Sequence, residues 1–178
     1  MENERVKRTT NESSGTSTRA RTIDKEIESS QWVTFSINNE LFAVDTLQVK
    51  EILRYTPITP VPGTNAYICG LINLRGHVVT VIDTRMMFNL PHEEPNDNTN
   101  ILLVDFSQDE MVGFVVDSVG EVINIATKSI DVAPRLTDSD TKSGFIKGVT
   151  MYDNSLIILL DIEKIISYVT PIIEDDPY

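Results

Sequence analysis

The chain is poor in the residues that carry out chemistry. It has one cysteine, Cys69, and two histidines, His77 and His92. A single cysteine excludes an intramolecular disulfide, and the CxxC or Cys/His spacing of a zinc site is missing. Cys69 reads as a small buried apolar residue. His77 follows a turn at a strand start and His92 sits beside Pro91 in a loop, and both read as surface residues. No GxSxG elbow, HExxH, GxGxxG or phosphate loop is present. Asp138-Ser139-Asp140 opens like a calcium loop. Lys142 then takes the fifth position, Ser143 stands where glycine is needed, and Val149 is twelfth, so calcium is rejected. No run approaches the roughly 18 apolar residues of a membrane span. The N-terminus lacks the apolar core of a signal peptide. A cytoplasmic protein is expected, with no direct membrane insertion, no catalytic residue, no metal and no cofactor.

Positive charge is also scarce. Acidic residues number 27 against 15 basic ones, a net charge of −12. Within residues 1–30 Arg5, Lys7, Arg8, Arg19, Arg21 and Lys25 cancel Glu2, Glu4, Glu12, Asp24, Glu26 and Glu28. The whole deficit therefore lies on residues 31–178. Such a body repels phosphate backbones, and with one tryptophan it lacks the basic, aromatic face of an RNA binder. No nucleic-acid partner is expected.

What the chain does contain is a duplicated pattern. Gly70–Arg85 reads as a strand, a tight turn at Arg75-Gly76, a second strand and Asp83 as the cap of a short helix to about Leu90. Gly148–Ile166 repeats it, with Asp153-Asn154 at the turn and Asp161 as the cap of a helix to about Tyr168. Ahead of these blocks, Phe42–Leu47 matches Phe114–Val119, and Ile58–Pro62 matches Ile130–Pro134. On this reading Asp45, Asp83, Asp117 and Asp161 are four equivalent caps. Met86-Met87 reads as core beneath the first short helix.

Residues 1–30 hold ten Ser or Thr and five apolar residues, too few to offset the entropy of ordering. They are expected to be a disordered tail, and 171–178 an acidic one. About ten short strands with turn signals between them point to small barrels or a sandwich. Val78–Ile82, Val112–Val116 and Leu156–Leu160 are apolar on both faces, so each needs cover on both sides. The polar stretch Asn89–Asn100 divides a first lobe, about 31–95, from a second, about 97–168, with ends that can exchange between the lobes. The absence of any reactive constellation favours an interaction module. A peptide- or RNA-binding small barrel and a small enzyme are the competing readings.

Ile72-Asn73-Leu74-Arg75-Gly76 followed by Val81-Ile82-Asp83 resembles the most characteristic segment of the CheW family of chemotaxis coupling proteins. Val49-x-Glu51-Ile52, Tyr67-Ile68-Cys69-Gly70 and Val112–Asp117 resemble it too, in the same order. The likeness covers about Trp32 to Ser167. At Thr80 many family members carry proline. The resemblance implies two similar five-stranded SH3-like barrels and no enzyme activity. It implies an adaptor that couples chemoreceptor cytoplasmic tips to the regulatory domain of the CheA histidine kinase, at the inner face of the membrane. Other CheW-like domains would join it in extended arrays. By motif match, Val49, Glu51, Gly70, Arg75, Gly76, Ile101, Gly113 and Val119 would contact these partners in a groove between the lobes. Val49, Ile101 and Val119 are equally readable as core, and the glycines as turn or bulge residues. A Glu51–Arg75 ion pair is expected within one lobe.

Overall fold

Two-residue turns set the frame. Asn38-Asn39, Arg75-Gly76 and Asp153-Asn154 have positive φ at both positions (53° and 64°, 51° and 89°, 47° and 60°). That is the signature of I′ turns, whose twist suits the strands they join. The computed structural model describes residues 28–107, 110–132 and 144–174. In it these turns join β1 (Ser29–Ile37) to β2 (Glu40–Asp45), β4 (Ile68–Leu74) to β5 (His77–Asp83), and β9 (Ile146–Tyr152) to β10 (Ser155–Leu160). The other strands are β3 (Val49–Arg54), β6 (Asn100–Ser107), β7 (Glu110–Val116) and β8 (Ser118–Ala126). Helix α1 is a single turn, Thr84–Met87, and ends before Leu90; α2, Ile162–Glu174, runs past Tyr168. Of the tail expected over residues 1–30, Ser29 and Ser30 belong instead to β1, where they pair with Ala126 and Ile125, and the first four residues of the acidic tail expected over 171–178 belong to α2. Residues 1–27 and Asp138–Asp140 lie outside the described residues.

The strands form two five-stranded sheets, in the orders β8-β1-β2-β10-β9 and β3-β6-β7-β5-β4. Each sheet curls until its two edges meet. Thr59, just past edge strand β3, pairs with Leu71 on edge strand β4 through hydrogen bonds of 2.9 and 2.8 Å. Asp131, past edge strand β8, pairs with Val149 on β9 at 2.8 and 2.9 Å. The all-β class with two five-stranded lobes holds.

The strands do not divide at the polar stretch near residue 96. β1 and β2 pair with β8–β10, while β6 and β7 pair with β3–β5. Each lobe thus takes a hairpin from one copy of the repeat and three strands from the other, joined by the parallel pairs β2–β10 and β5–β7. The reason lies in the doubly apolar strands. In β7, Val112, Phe114 and Val116 face a shared core between the lobes, while Gly113 and Val115 face the second barrel. Trp32, Ala43, Ile123, Ile125, Ile157 and Leu159 fill the first barrel. Ile72, Val79, Val81, Ile101 and Leu103 fill the second.

The duplication survives in detail. Asp83 and Asp161 receive Met86 N–H and Lys164 N–H at 3.1 and 3.2 Å and so cap α1 and α2 alike. Their own N–H groups donate to Tyr67 and Phe145 carbonyls at 2.8 and 2.7 Å. The β-bulges at Cys69 and Lys147 also correspond. The earlier block is shifted by two residues from the sequence match. Thr80 lies beside Val112 where Ile158 lies beside Phe42, so Phe42 corresponds to Val112 rather than Phe114. A slip of two keeps every side chain on its own face and leaves no trace in the hydrophobic pattern. In the corrected register Val49-Lys50-Glu51-Ile52 corresponds to Val119-Gly120-Glu121-Val122, each near the start of one edge strand.

Candidate functional site

The Glu51–Arg75 pair is present. Arg75 Nη2 donates to Glu51 Oε1 at 2.9 Å, so a turn beside one edge strand holds the other edge strand of the curled sheet. Arg75 takes a backbone φ of +51°, where asparagine or aspartate sits more comfortably. The equivalent turn of the other repeat uses Asp153-Asn154, and the third turn of this type uses Asn38-Asn39. An arginine kept where asparagine would suit the turn points to a use for its side chain. That side chain is 75% exposed and Glu51 31%, so the pair adds only about 0–1 kcal/mol to stability. Beside it Ile52 faces solvent, as does its counterpart Val122.

The other sequence-derived candidates sit in different surroundings. Val49 and Val119 are half-buried against the core between the lobes and correspond to each other. Ile101 has no exposed surface. Gly113 sits beside it inside the second barrel, where a Cβ would lie 2.8 Å from Ile101 Cγ2. Neither can present a side chain to a partner. Gly70 is buried at φ +137°, with a hypothetical Cβ 2.0 Å from the Thr59 carbonyl oxygen. It serves closure of the barrel. Gly76 has open space around it and supplies the φ of +89° that its turn needs. Ile52 and Val122 lie outside the motif-matched set, and the repeated V-x-E-[I/V] pattern leaves its fourth residue exposed in both halves.

Asp117 is not a cap. No helical turn follows it, because β8 begins at Ser118. It accepts the Asn38 N–H at 2.7 Å and two bonds from Arg85, Nε to Oδ1 at 2.8 Å and Nη2 to Oδ2 at 2.6 Å. Arg85 is nearly buried. It also donates to the Pro91 carbonyl at 2.9 Å and to Glu93, so it fastens the linker between the repeats to the end of β7. Burial would raise the Asp117 carboxyl, but the Arg85 and Asn38 hydrogen bonds and the Arg85 charge hold it below its ordinary value. Asp45 caps only its own 3-10 turn, receiving Leu47 N–H at 3.0 Å. Of the two methionines, Met87 is buried and Met86 is exposed.

Beneath the linker lies a cleft of about 730 Å³ whose walls include Tyr55, Cys69, Asp83, Arg85, His92 and Asp117. Burial, with the nearby Asp83 charge, pushes the Cys69 thiol up to about 12. It is a thiol at neutral pH and no nucleophile. Among the described residues no group of three or more His, Cys, Asp or Glu is placed to hold a metal ion. No helix there is long and apolar enough to cross a membrane.

The model of the CheW-like domain family matches residues 31–170, both barrels and the helix that follows. The chain belongs to this family. It is 36% identical over 134 residues to the chemotaxis protein CheW of Bacillus subtilis, covering 75% of this chain and 85% of that one. With CheW of Thermotoga maritima it shares 29% over 150 residues, 84% of this chain and 96% of the relative. The crystal structure of the scaffolding protein TtCheW from Thermoanaerobacter tengcongensis superposes with a TM-score of 0.69. That comparison runs at 31% identity and covers 78% of this chain and 88% of that one.

Proposed function

We propose that this protein is a non-enzymatic adaptor of bacterial chemotaxis. It couples the cytoplasmic tips of chemoreceptors to the regulatory domain of a CheA-type histidine kinase and works in the cytoplasm, at the inner face of the membrane. The family match across the entire two-barrel body supports this reading most directly. Two barrels locked by one continuous core make a rigid bridge with two ends, which a coupling protein needs. Exposed Ile52 and Val122 and half-buried Val49 and Val119 on the two V-x-E segments give a receptor helix apolar surface to dock on. Glu51 and Arg75 give it charge and direction. Exposed Met151 and Leu156 oppose each other across the β9–β10 hairpin and offer an end at which a kinase domain or another CheW-like domain can add on.

The test is assembly of a ternary complex from purified protein, a receptor signalling fragment and a kinase regulatory domain. If neither partner is retained, the adaptor reading fails. Arg75→Ala, and Arg75→Asn, which suits the turn better, should leave the melting temperature within a degree or two. Each should weaken coupling at least tenfold, about 1.4 kcal/mol. Equal titration curves for wild type and both variants would remove Arg75 from the site.

Residues 1–27 precede both β1 and the family match. A chain beginning at Glu28 is expected to melt with the full chain and to bind the kinase domain equally well. Loss of binding at an unchanged melting temperature would give the N-terminal segment a role in coupling.

A further inference from the structure

The corrected register places Glu163 where the other half has Arg85, each two residues after its capping aspartate. It places Leu47 where the other half has Asp117. Asp83 lies beside Val115 and Leu159 beside Ala43, so continuing each parallel pair brings Asp117 and Leu47 to matching positions. In one half, then, an arginine grips an aspartate and holds an acidic strap, the linker with its Pro91 carbonyl and Glu93. In the other half α2 continues as a helix to Glu174, and among the described residues no strap crosses. A groove of about 380 Å³ is left there, lined by Leu47, Asp105, Ile162, Glu163 and Ile166 among others. Leu47 is 93% exposed at its rim. Asp105 is paired with Lys50 at 3.2 Å, and Asp161 with Lys164 at 3.2 Å. The Glu163 carboxylate has no ion pair among the described residues.

We propose that this groove is a docking site for an extended segment of a partner protein that presents an arginine or lysine to Glu163 and an apolar side chain to Leu47. The chain supplies the template in its own linker, with the charges reversed: a cationic seat takes an acidic strap in one half, and an anionic seat takes a basic strap in the other. The groove is open to solvent and its Glu163 contact is exposed, so an isolated segment should bind weakly and depend on salt. The groove adjoins the first V-x-E segment, since Leu47 and Gln48 directly precede Val49, and its assignment does not depend on which receptor or kinase the protein serves.

The probe is a peptide copying residues 88–98 with Glu93 and Glu94 replaced by arginine, titrated into the full-length protein and followed by backbone amide NMR. Shifts are expected at Leu47, Gln48, Ile166 and Ser167, and the unaltered acidic peptide should bind at least tenfold more weakly. Glu163→Arg should invert that preference, and Leu47→Ser should weaken both peptides while leaving the melting temperature in place. An absence of shifts, shifts elsewhere, or equal binding of both peptides by wild type and Glu163→Arg overturns the proposal. If the basic peptide binds only after residues 1–27 are removed, the groove belongs to the chain's own N-terminal segment and the partner assignment fails.

Discussion

Gly70→Ala is expected to destabilise the protein by about 4 kcal/mol, from a backbone conformation closed to L-residues and the loss of two ladder hydrogen bonds worth about 1 kcal/mol each. The glycine has φ +137°, and an added Cβ would meet only backbone: Thr59 O at 2.0 Å, Thr59 C at 2.7 Å and Pro60 Cα at 2.8 Å. None of these is a side chain that can swing away. Relief requires residues 59 and 60 to leave the sheet, and with them goes the Thr59–Leu71 pair that closes the second barrel over Ile72 and Ile58. The duplicated position provides the control. Gly148 has no positive φ, and its nearest neighbour would be Ile130 Cγ2 at 2.6 Å, the movable end of a side chain, ahead of Asp131 O at 2.8 Å. Gly148→Ala should therefore cost roughly half as much, about 2 kcal/mol. Urea unfolding of the two variants decides the matter. If Gly148→Ala proves the more harmful, or Gly70→Ala unfolds with the wild type, barrel closure does not rest on this approach.

The ten strands, their turns and the caps at Asp83 and Asp161 were legible because each has a local cause. Alternation marks a strand, and Asn-Asn, Arg-Gly and Asp-Asn mark turns. An aspartate at the end of a strand marks a helix start. The exchange of hairpins between lobes has no such local cause. Val112–Val116 and Leu156–Leu160 are apolar on both faces, which says that both are covered and not by which copy. The two-residue slip between the copies was hidden for a related reason: a period of two cannot register a shift of two. Glu51–Arg75 could be foreseen because an arginine in a tight turn is a local anomaly that asks for a partner, and the family resemblance pointed to Glu51 as the acid. Ile101 and Gly113, taken from the motif, proved interior, since a motif records what a family keeps and not whether it faces solvent. Arg85 gave no sign in advance. Second after a cap, it has the pattern of an ordinary exposed helix residue, and only the linker folding back through Pro91 and Glu93 buries it.

That burial makes Arg85 the side chain whose loss should be felt most widely. Arg85→Ala leaves Asp117 with the Asn38 N–H alone and frees the linker from its Pro91 and Glu93 anchors. Breaking a buried pair by removing one partner costs about 3–5 kcal/mol, and the low end, about 3, applies because Asp117 keeps some contact with solvent that screens its charge. For a domain of this size that is a fall in melting temperature of roughly 6–12 °C. Arg85→Met with Asp117→Leu, which removes both charges, should recover most of it. The pH dependence separates lost charge pairing from lost packing. A carboxyl held below its ordinary value in the folded state contributes stability that is full above its unfolded pKa, about 4, and fades as pH falls through the folded value. The gap between wild type and Arg85→Ala should therefore be widest near neutral pH and narrow below about pH 4 as Asp117 takes up its proton. A gap that stays constant from pH 7 to pH 3 would mean that Arg85 acts through its hydrocarbon stem and its hold on the linker, with the Asp117 pair contributing nothing.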